Sequence, residues 1–415
     1  MDKPLKGIRV VELSIFVAAP VCARLLADMG AEVIKVEHPN GDGWRYRALN
    51  YKPTLFTVDH NPVFDIYNGG KKHVALDLKT PEGMEAMHKL LETADVFITN
   101  TRPAALERLG LSYEQLKDKY PSLIYAIILG YGEKGPDAQL PAFDGTAFWA
   151  RGGFLRDMPD AEHYMPMSPP SGMGDTITGY LLMGQINAAL FRRTRDGKGE
   201  LVKSGLYHNA VFTMGTMNIC GQEPDPAPNP TARKDGPCNV GAFGCSDGEW
   251  IYYARGTVKE VEFKVVRMLG LGWLVDDPRY ATVETRHENR GFLYPLIRDA
   301  FLQKPSDYWL EKLKELGIAA IRMARFSDVS KDEQAWANDY LEYMQFPDGT
   351  TGIMPTTPLE MESVGKAPSK PAGGVGEHTV EILQSLGYPQ EKIDAMIASG
   401  SVAIESQMKE VVIGM

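Results

Sequence analysis

The sequence predicts an α/β fold built on a parallel sheet, and three observations carry this prediction. Strand-like Gly7–Leu13 and Ala31–Glu37 flank a segment with helical spacing, which makes one complete β-α-β unit. Strand-like and helix-like segments continue to alternate up to about residue 130. The segment Leu123–Leu129 (LIYAIIL) carries no charge, as expected of a strand buried on both faces. Parallel strands joined by helices require helices layered on the sheet.

In the first unit a helix is predicted over Pro20–Met29, and Gly30 suits the position just beyond its end. Glu37 ends the second strand, where dinucleotide-binding proteins carry a ribose-binding acid. The turn after the first strand (SIFVAAP) has no G-x-G-x-x-G, so its backbone is not suited to a pyrophosphate. Nicotinamide binding is therefore not expected, and Glu37 is interpreted as a solvated acid.

The next helix is predicted to start at Pro81 with Thr80 as its N-cap and to run to about Thr93. A long helix is predicted over Gly174–Arg195, and its small residues favour burial against another backbone. The other elements of this half are the strands Lys72–Leu78 and Asp95–Thr99 and the short helix Pro103–Leu109.

The length of 415 residues suggests two or three domains. The proline-rich segment 221–237 is the best boundary on composition, and 363–376 is interpreted as a surface linker. Beyond the boundary we predict a strand at Glu249–Tyr253, followed by helices near 257–270, 286–302, 305–316, 377–386 and 389–398.

Composition excludes several classes of function. The net charge of −10, from 44 Lys+Arg and 54 Asp+Glu, is unfavourable for binding nucleic acid. No apolar run is long enough to predict a membrane span, and the N-terminus lacks the features of a secretory signal. Four cysteines without a C-x-x-C pair indicate a reduced, cytoplasmic compartment. The eight histidines form no H-x-x-x-H, no G-x-S-x-G occurs, and neither a metal site nor a serine hydrolase is expected.

The segment Pro169–Gly179 (PPSGMGDTITG) is the most informative for chemistry. Two glycines precede Asp175, and a helix is predicted to begin at this residue or directly after it. A carboxylate at a helix N-terminus is stabilised as the anion. Asp175 is therefore either an ordinary N-cap or a nucleophile that forms a covalent acyl intermediate.

The chain resembles the class III CoA-transferases, the family of formyl-CoA, carnitine and bile-acid CoA-transferases. Segments in the family's order carry the resemblance over most of the chain, namely PLKGIRVVEL, LADMGAEVIKVEHPNGDGWR, KKHVALDLKTPEG, ADVFITNTRPAALERLGLSYEQLKDKYPSLIYAIILGYGEKGP, SGMGDTITGYLLMGQINAALFRRTRDGKGE and DDPRYATVETRHENR. The resemblance implies that Asp175 attacks an acyl-CoA, and that mixed anhydrides and an aspartyl-CoA thioester follow. The glycines beside Asp175 are expected to let its carboxylate swing between partners. Coenzyme A is a substrate here, and no cofactor is implied.

The same resemblance implies which residues contact coenzyme A. In this family Arg108 is expected to pair with a phosphate, Asn100 to bond the adenine or ribose, and Tyr131 to lie near the thioester. The other implied contacts are Val17, Ala19, Lys72, Leu76 and Ala105.

The substrate is inferred from both likeness and departure. Ala18, Leu129 and His38 stand where relatives carry Gln, Lys and Arg, which argues against formate and oxalate and favours an apolar acyl pocket. FDGTAFWARGG (143–153) and DEQAWANDYL (332–341) most resemble the branch acting on (R)-2-hydroxyisocaproate or (R)-phenyllactate in anaerobic amino-acid fermentation. Phe148, Trp149 and Met173 either line such a pocket or belong to the core.

Three alternatives stay open. The acceptor can be another acid (formate or oxalate, carnitine, a bile acid), or the enzyme can be an acyl-CoA racemase. A racemase needs an acid–base pair about the α-carbon, usually with a His, and the Asp175 segment has none. A non-enzymatic CoA-binding role is the third.

The resemblance also implies a large Rossmann-like α/β domain formed by both chain ends, a smaller α+β domain, and an interlocked homodimer. The expected boundaries are 1–224 and 326–415 for the large domain and 225–325 for the small one. The expected partners are an acyl-CoA and a small carboxylic acid, with no nucleic acid and no membrane.

Overall fold

The computed structural model describes residues 3–158, 169–222, 237–254, 259–362 and 364–405. The chain divides into two compact units. Unit 1 contains Met1–Gly152, Pro169–Gly215 and Glu333–Met415, and unit 2 contains Gly153–Ser168 and Thr216–Asp332. Of the proline-rich segment predicted as a boundary, residues 223–236 lie outside the described residues.

The strands are β1 Arg9–Leu13, β2 Glu32–Glu37, β3 Lys72–Leu76, β4 Val96–Thr99, β5 Ile124–Leu129, β6 Leu201–Gly205, β7 Gly241–Gly244, β8 Trp250–Tyr253, β9 Ala320–Arg322, β10 Leu341–Gln345, β11 Thr351–Pro355 and β12 Val402–Ala403. The α-helices are α1 Ala18–Asp28, α2 Gly43–Arg47, α3 Pro62–Asn68, α4 Pro81–Glu92, α5 Pro103–Arg108, α6 Tyr113–Leu116, α7 Phe154–Asp157, α8 Met173–Asp196, α9 Leu206–Thr213, α10 Gly215–Cys220, α11 Lys259–Met268, α12 Val283–Glu288, α13 Arg290–Phe301, α14 Ser306–Glu315, α15 Glu333–Ala337, α16 Thr379–Ser385 and α17 Gln390–Ser399.

Unit 1 is built on a seven-stranded sheet with the order β12-β3-β2-β1-β4-β5-β6. Neighbouring strands from β3 to β6 pair in parallel, whereas β12 pairs antiparallel with β3, with Val402 opposite Leu76. The order 3-2-1-4-5-6 is that of a Rossmann-type sheet. The predicted α/β fold, with both chain ends in one large domain, is confirmed.

Each face of this sheet is covered by helices. Alternate strand residues point to opposite faces. Val11 belongs to the core that is shared with α4, α5, α6, α16 and α17, and Val10 belongs to the core that is shared with α1 and α8. Gly179 brings α8 very close to α1, because a Cβ at this position would lie 2.2 Å from Val21 Cγ1. The prediction that α8 is buried is correct for one face only, since Leu181 and Phe191 are exposed.

Unit 2 is an α+β unit. Its antiparallel sheet β7-β8-β9 packs with Phe243, Phe301 and Trp309 in one core, in which the rings of Phe243 and Phe301 are stacked at 4.6 Å. In the described ranges, no helix of the chain combines the length and apolarity needed to cross a membrane.

The predicted helix ends are correct where the sequence contains a recognisable capping residue. Thr80 caps α4 by accepting a hydrogen bond from the Gly83 amide, and Gly30 has a φ of +102°, as predicted. The interpretation of 363–376 as a surface linker is wrong for its described part. Val375 is buried, and the Gly373 carbonyl accepts a hydrogen bond from buried Arg45, so this irregular segment is part of the packing of unit 1.

Candidate active site

The loops that follow β1 and β4 meet where the strand order of the sheet reverses. In open α/β sheets, ligands bind in the crevice at this point, outside the carboxyl ends of the strands. Here the Asn100 side chain, after β4, donates to the Ile15 carbonyl (2.7 Å) and accepts from the Ile15 amide (3.1 Å), after β1. Both hydrogen-bonding groups of the Asn100 amide therefore fix the conformation of the β1–α1 loop.

The next residue of this loop has an unusual backbone. Phe16 has a φ of +65°, in the left-handed region that a side chain with a Cβ rarely adopts, at a cost of about 1–3 kcal/mol. Its amide donates to Asp42 Oδ1 (3.2 Å), which holds the strained conformation in place. Such strain clusters at functional sites.

A buried ionic network lies beneath this loop. Lys35 pairs with Glu12 (3.0 Å) and Asp42 (3.1 Å), and Lys71 pairs with Glu12 (2.8 Å). Burial raises the pKa of Glu12, but Lys35 and Lys71 outweigh it and bring the pKa to about 2. Because Asp42 both joins this network and anchors Phe16, the network fixes the loop to the sheet.

The interpretation of Glu37 as a solvated acid is wrong. Glu37 is buried, and it pairs with Arg45 at 2.7 Å and with His73 Nδ1 at 2.7 Å. The strand ends not in solvent but under α2, which carries Arg45.

The first turn of α8 lies beside this loop and carries Asp175. The helix begins at Met173, one residue before the range predicted for it, so Asp175 is its third residue and not its first. Gly172 is the N-cap, and a Cβ built on it would lie 3.5 Å from Val17 Cγ1 at the start of α1. The structure thus brings Asp175 and Val17 to the same end of the sheet.

The two glycines before Asp175 have structural requirements of their own. Gly172 has a φ of +78°, and a Cβ at Gly174 would lie 2.3 Å from Asp144 Oδ1 and from Phe148 Cγ. Gly174 is therefore needed for close packing. The expectation that these glycines provide room for the carboxylate to swing is not supported by this geometry.

The charge state of Asp175 differs from the sequence expectation. Burial, and then the charge of Asp144, raise the pKa of Asp175 to about 7. A carboxyl group at a helix N-terminus was expected to be stabilised as the anion. The difference arises first because the Asp175 carboxyl is buried, and second because another carboxyl group, Asp144, lies at the end of this helix.

Asp144 begins a π-helical segment, Asp144–Ala150, and its Oδ2 accepts a hydrogen bond from the Gly172 amide at 3.1 Å. Burial raises its pKa, although the amides of Gly172, Asp175 and Gly174 oppose this change. Asp144 is not among the site residues predicted from the sequence, where its segment is notable only for its resemblance to relatives. No local pattern links it to Asp175, because the two residues lie on different elements.

Aromatic side chains contact the segments that lead into Asp144 and into α8. The rings of Phe16 and Phe143 meet edge-on at 5.6 Å, and the Tyr51 hydroxyl donates to the Ser171 hydroxyl. Of the three side chains considered for an acyl pocket, Met173 is exposed, whereas Phe148 and Trp149 are core residues with 0% and 2% exposure.

The other residues implied to contact coenzyme A lie in several environments. Val17 and Ala19 are buried at the start of α1, and Leu76 is a core residue of β3. Lys72 pairs with Glu32 (2.9 Å) and Glu381 (2.8 Å). In α5, Ala105 is half-buried and Arg108 is exposed. Tyr131 is half-buried, with the Arg151 guanidinium 5.2 Å from its ring.

The structure therefore gathers some of these residues and not others. Val17 reaches the start of α8 and Asn100 holds the β1–α1 loop, whereas Lys72 makes its ion pairs with the start of β2 and with α16.

Comparison with known proteins finds relatives that match almost the whole chain. The chain is 40% identical over 390 residues to (R)-2-hydroxy-4-methylpentanoate CoA-transferase of Clostridioides difficile, covering 94% of this chain and 97% of the relative. It is 34% identical over 404 residues to cinnamoyl-CoA:phenyllactate CoA-transferase of Clostridium sporogenes, covering 97% and 98%.

A solved structure of a CAIB/BAIF family protein from Brucella suis matches with a TM-score of 0.76 and 29% identity, covering 93% of this chain and all of that chain. The model of the family described as CoA-transferase family III matches residues 5–379. A match of this extent, with relatives that are themselves CoA-transferases, identifies the chain as an enzyme that belongs to CoA-transferase family III.

Proposed function

We propose that this enzyme transfers CoA from an acyl-CoA to a 2-hydroxy carboxylic acid, such as (R)-2-hydroxyisocaproate or (R)-phenyllactate, with Asp175 as the nucleophile. The observation that carries the role of Asp175 is its position in the first turn of α8, half-buried and with its pKa raised to about 7. A more basic carboxylate is a stronger nucleophile, and at neutral pH a large fraction of it remains ionised. The two relatives named above support the choice of acid.

The first half of the reaction forms an enzyme-bound thioester. An oxygen of the Asp175 carboxylate attacks the thioester carbonyl of the donor, and the C–S bond breaks to give a mixed anhydride and the CoA thiolate. The thiolate then attacks Cγ of Asp175, which releases the donor acid as its carboxylate and leaves an aspartyl-CoA thioester. Holding the thiolate beside the anhydride makes the second attack effectively intramolecular.

The second half repeats these steps with the acceptor. The acceptor carboxylate attacks the aspartyl thioester and expels the thiolate, and the thiolate attacks the acyl carbon of the acceptor. This attack breaks the new anhydride and returns the Asp175 carboxylate. No net proton or electron transfer occurs, so the chemistry requires a positioned nucleophile and exclusion of water that would hydrolyse the anhydrides.

Coenzyme A is proposed to bind along the β1–α1 loop and α5. Val17, Ala19, Asn100 and Ala105 would shape the crevice, exposed Arg108 would pair with a phosphate, and Tyr131 would lie near the thioester. Lys72 and Leu76 belong to the same proposal. Lys72 would have to exchange its carboxylate partners for a phosphate, and Leu76 would contribute through the packing of β3.

The protein is proposed to act as a cytoplasmic homodimer in amino-acid fermentation. One face of α8 exposes Tyr180, Leu181 and Phe191, with Phe191 63% exposed. Apolar side chains in such numbers on one helix favour a covering partner, and a second copy is the partner proposed. A monomer in size-exclusion chromatography would contradict this part.

Covalent trapping tests the nucleophile directly. The protein is incubated with a 2-hydroxyacyl-CoA and hydroxylamine, digested, and analysed by mass spectrometry. Asp175 is expected to carry a hydroxamate, and Asp175→Asn is expected to abolish both labelling and transfer. An unmodified Asp175 in an active enzyme would rule out the mechanism.

A panel of acids against one acyl-CoA donor tests the substrate. Transfer to branched or aryl 2-hydroxy acids is expected to exceed transfer to formate, oxalate, carnitine or a bile acid. Exchange of α-deuterium without an added acceptor would instead favour an acyl-CoA racemase.

A further inference from the structure

Two carboxyl groups lie at the start of α8: that of Asp144, which accepts a backbone hydrogen bond there, and that of Asp175, the third residue of the helix. Asp144 Oδ2 accepts from the Gly172 amide at 3.1 Å, and Gly174 lies so close that its missing Cβ would meet Asp144 Oδ1 at 2.3 Å. The free N–H groups at a helix start stabilise one nearby anion strongly. Asp144, from another segment, accepts the hydrogen bond at the start of α8, although Asp175 is part of the helix itself.

Asp175 lacks the same stabilisation. Burial of the Asp175 carboxyl and, second, the charge of the neighbouring Asp144 disfavour its ionised form. Among the residues that the structure describes, no hydrogen-bond donor contacts this carboxylate. The titratable groups that face it are Asp144, from the π-helical segment, and Tyr67, from α3. Tyr51 and Tyr180 lie beside Tyr67, whose hydroxyl bonds Thr176.

We infer that Asp144 is a positioning residue for the nucleophile: by occupying the Gly172 amide at the start of α8, it leaves the Asp175 carboxylate beside another anion and without that donor. This inference rests on the proposed function of Asp175 as the nucleophile. An oxygen that no backbone N–H stabilises is more basic and attacks a thioester more readily. Asp144 is thus more than a helix cap, because its charge adds to burial in making the Asp175 carboxylate more basic.

The test compares the pH dependence of kcat/KM for the wild type and Asp144→Asn between pH 5 and pH 9. Asparagine keeps an oxygen that accepts from the Gly172 amide but removes the charge. In the variant, the acidic limb of the pH profile of kcat/KM is expected to lie about one pH unit lower than in the wild type. The activity of the variant relative to wild type is then expected to be several-fold higher at pH 5.5 than at pH 8. Asp118→Asn, on the exposed segment after α6, removes an equal charge and is expected to leave the limb unchanged.

Two results would overturn the inference. One is a folded Asp144→Asn enzyme whose acidic limb coincides with that of the wild type. The other is a titration of the ¹³Cγ signal of Asp175 in the wild-type protein with a single step, because two carboxyl groups that interact by about one pK unit or more titrate in two shared steps. The second measurement decides the question if Asp144→Asn does not fold. Failure of the hydroxylamine trap would instead refute Asp175 as the nucleophile and leave the coupling of the two carboxyl groups to be read from the titration.

Discussion

Replacing Asp175 by asparagine is expected to make the folded protein more stable, and increasingly so as the pH rises. Burial and the charge of Asp144 raise the pKa of Asp175 from 3.8 to about 7. The folded state therefore binds this proton more tightly than the unfolded state does. As the pH rises from about 4 to about 7, ionising Asp175 costs folding free energy, and asparagine removes this cost.

The size of the effect follows from the shift in pKa. A rise from 3.8 to about 7 is about three units, and each unit corresponds to about 1.4 kcal/mol, so the ceiling is about 4 kcal/mol at pH 8. At pH 5 most of the ionisation in the folded state has not yet occurred, and the linkage relation gives about 1.5–2 kcal/mol. The stability difference between variant and wild type is thus expected to grow by about 2–3 kcal/mol between pH 5 and pH 8.

Urea unfolding at a series of pH values measures this difference. Asp118→Asn is the matched control, and its effect on the free energy of unfolding is expected to be the same at pH 5 and pH 8. A constant difference between Asp175→Asn and wild type over this range would refute the reasoning. It would mean that Asp175 is as well stabilised as an anion in the folded protein as in the unfolded chain.

Three further substitutions test residues that hold the elements around the site in place. Asn100→Ala removes both hydrogen bonds to Ile15, so KM for the acyl-CoA is expected to rise at least several-fold while the free energy of unfolding falls by about 1–3 kcal/mol, as measured by steady-state kinetics and urea unfolding. Lys35→Met leaves Glu12 with one cation fewer in a buried site and is expected to cost about 3–5 kcal/mol of stability, measured by urea unfolding at pH 7. Gly179→Ala places a Cβ where α1 leaves no space and is expected to lower Tm by several degrees in thermal unfolding.

For each of these three substitutions, one result would contradict the prediction. An unchanged KM for Asn100→Ala would mean that the β1–α1 loop keeps its shape without that side chain. A Lys35→Met protein as stable as wild type would mean that Glu12 is protonated or hydrated in the core. For Gly179, the control is Gly291→Ala in α13, where nothing lies within 4 Å, and Tm is expected to stay or rise. Equal effects of the two alanines would contradict the close approach of α1 and α8.

The sequence predicts much of the fold because its local chemistry agrees with its tertiary structure. The Thr80–Pro81 pair starts α4 where capping chemistry requires, and Gly30 takes the left-handed conformation that ends α1. The charge-free run Leu123–Leu129 contains a central strand, β5, with parallel neighbours on both sides. Alternation of such elements is sufficient to predict an α/β sheet.

The sequence is less informative where a residue's environment comes from distant parts of the chain. Glu37 has the pattern of a solvated strand-end acid, yet Arg45 and His73 enclose it. Phe148 and Trp149 are as aromatic as the residues of a binding pocket, but packing buries them. Burial and pairing depend on which elements meet, and periodicity within one segment does not contain that information.

Asp175 illustrates both cases. Its place at the start of a long helix, after two glycines, follows from the sequence, and the family resemblance rests on the same segment. Its environment does not follow, because burial and the charge of Asp144, which reaches the Gly172 amide from a separate π-helical segment, together reverse the electrostatics expected at a helix start. The sequence by itself determines the kind of sheet, the family and the candidate nucleophile, since these depend on local pattern and on residue identity. Only the tertiary structure decides how basic that nucleophile is, because the cost of a charge depends on the groups that folding brings within a few ångströms of it.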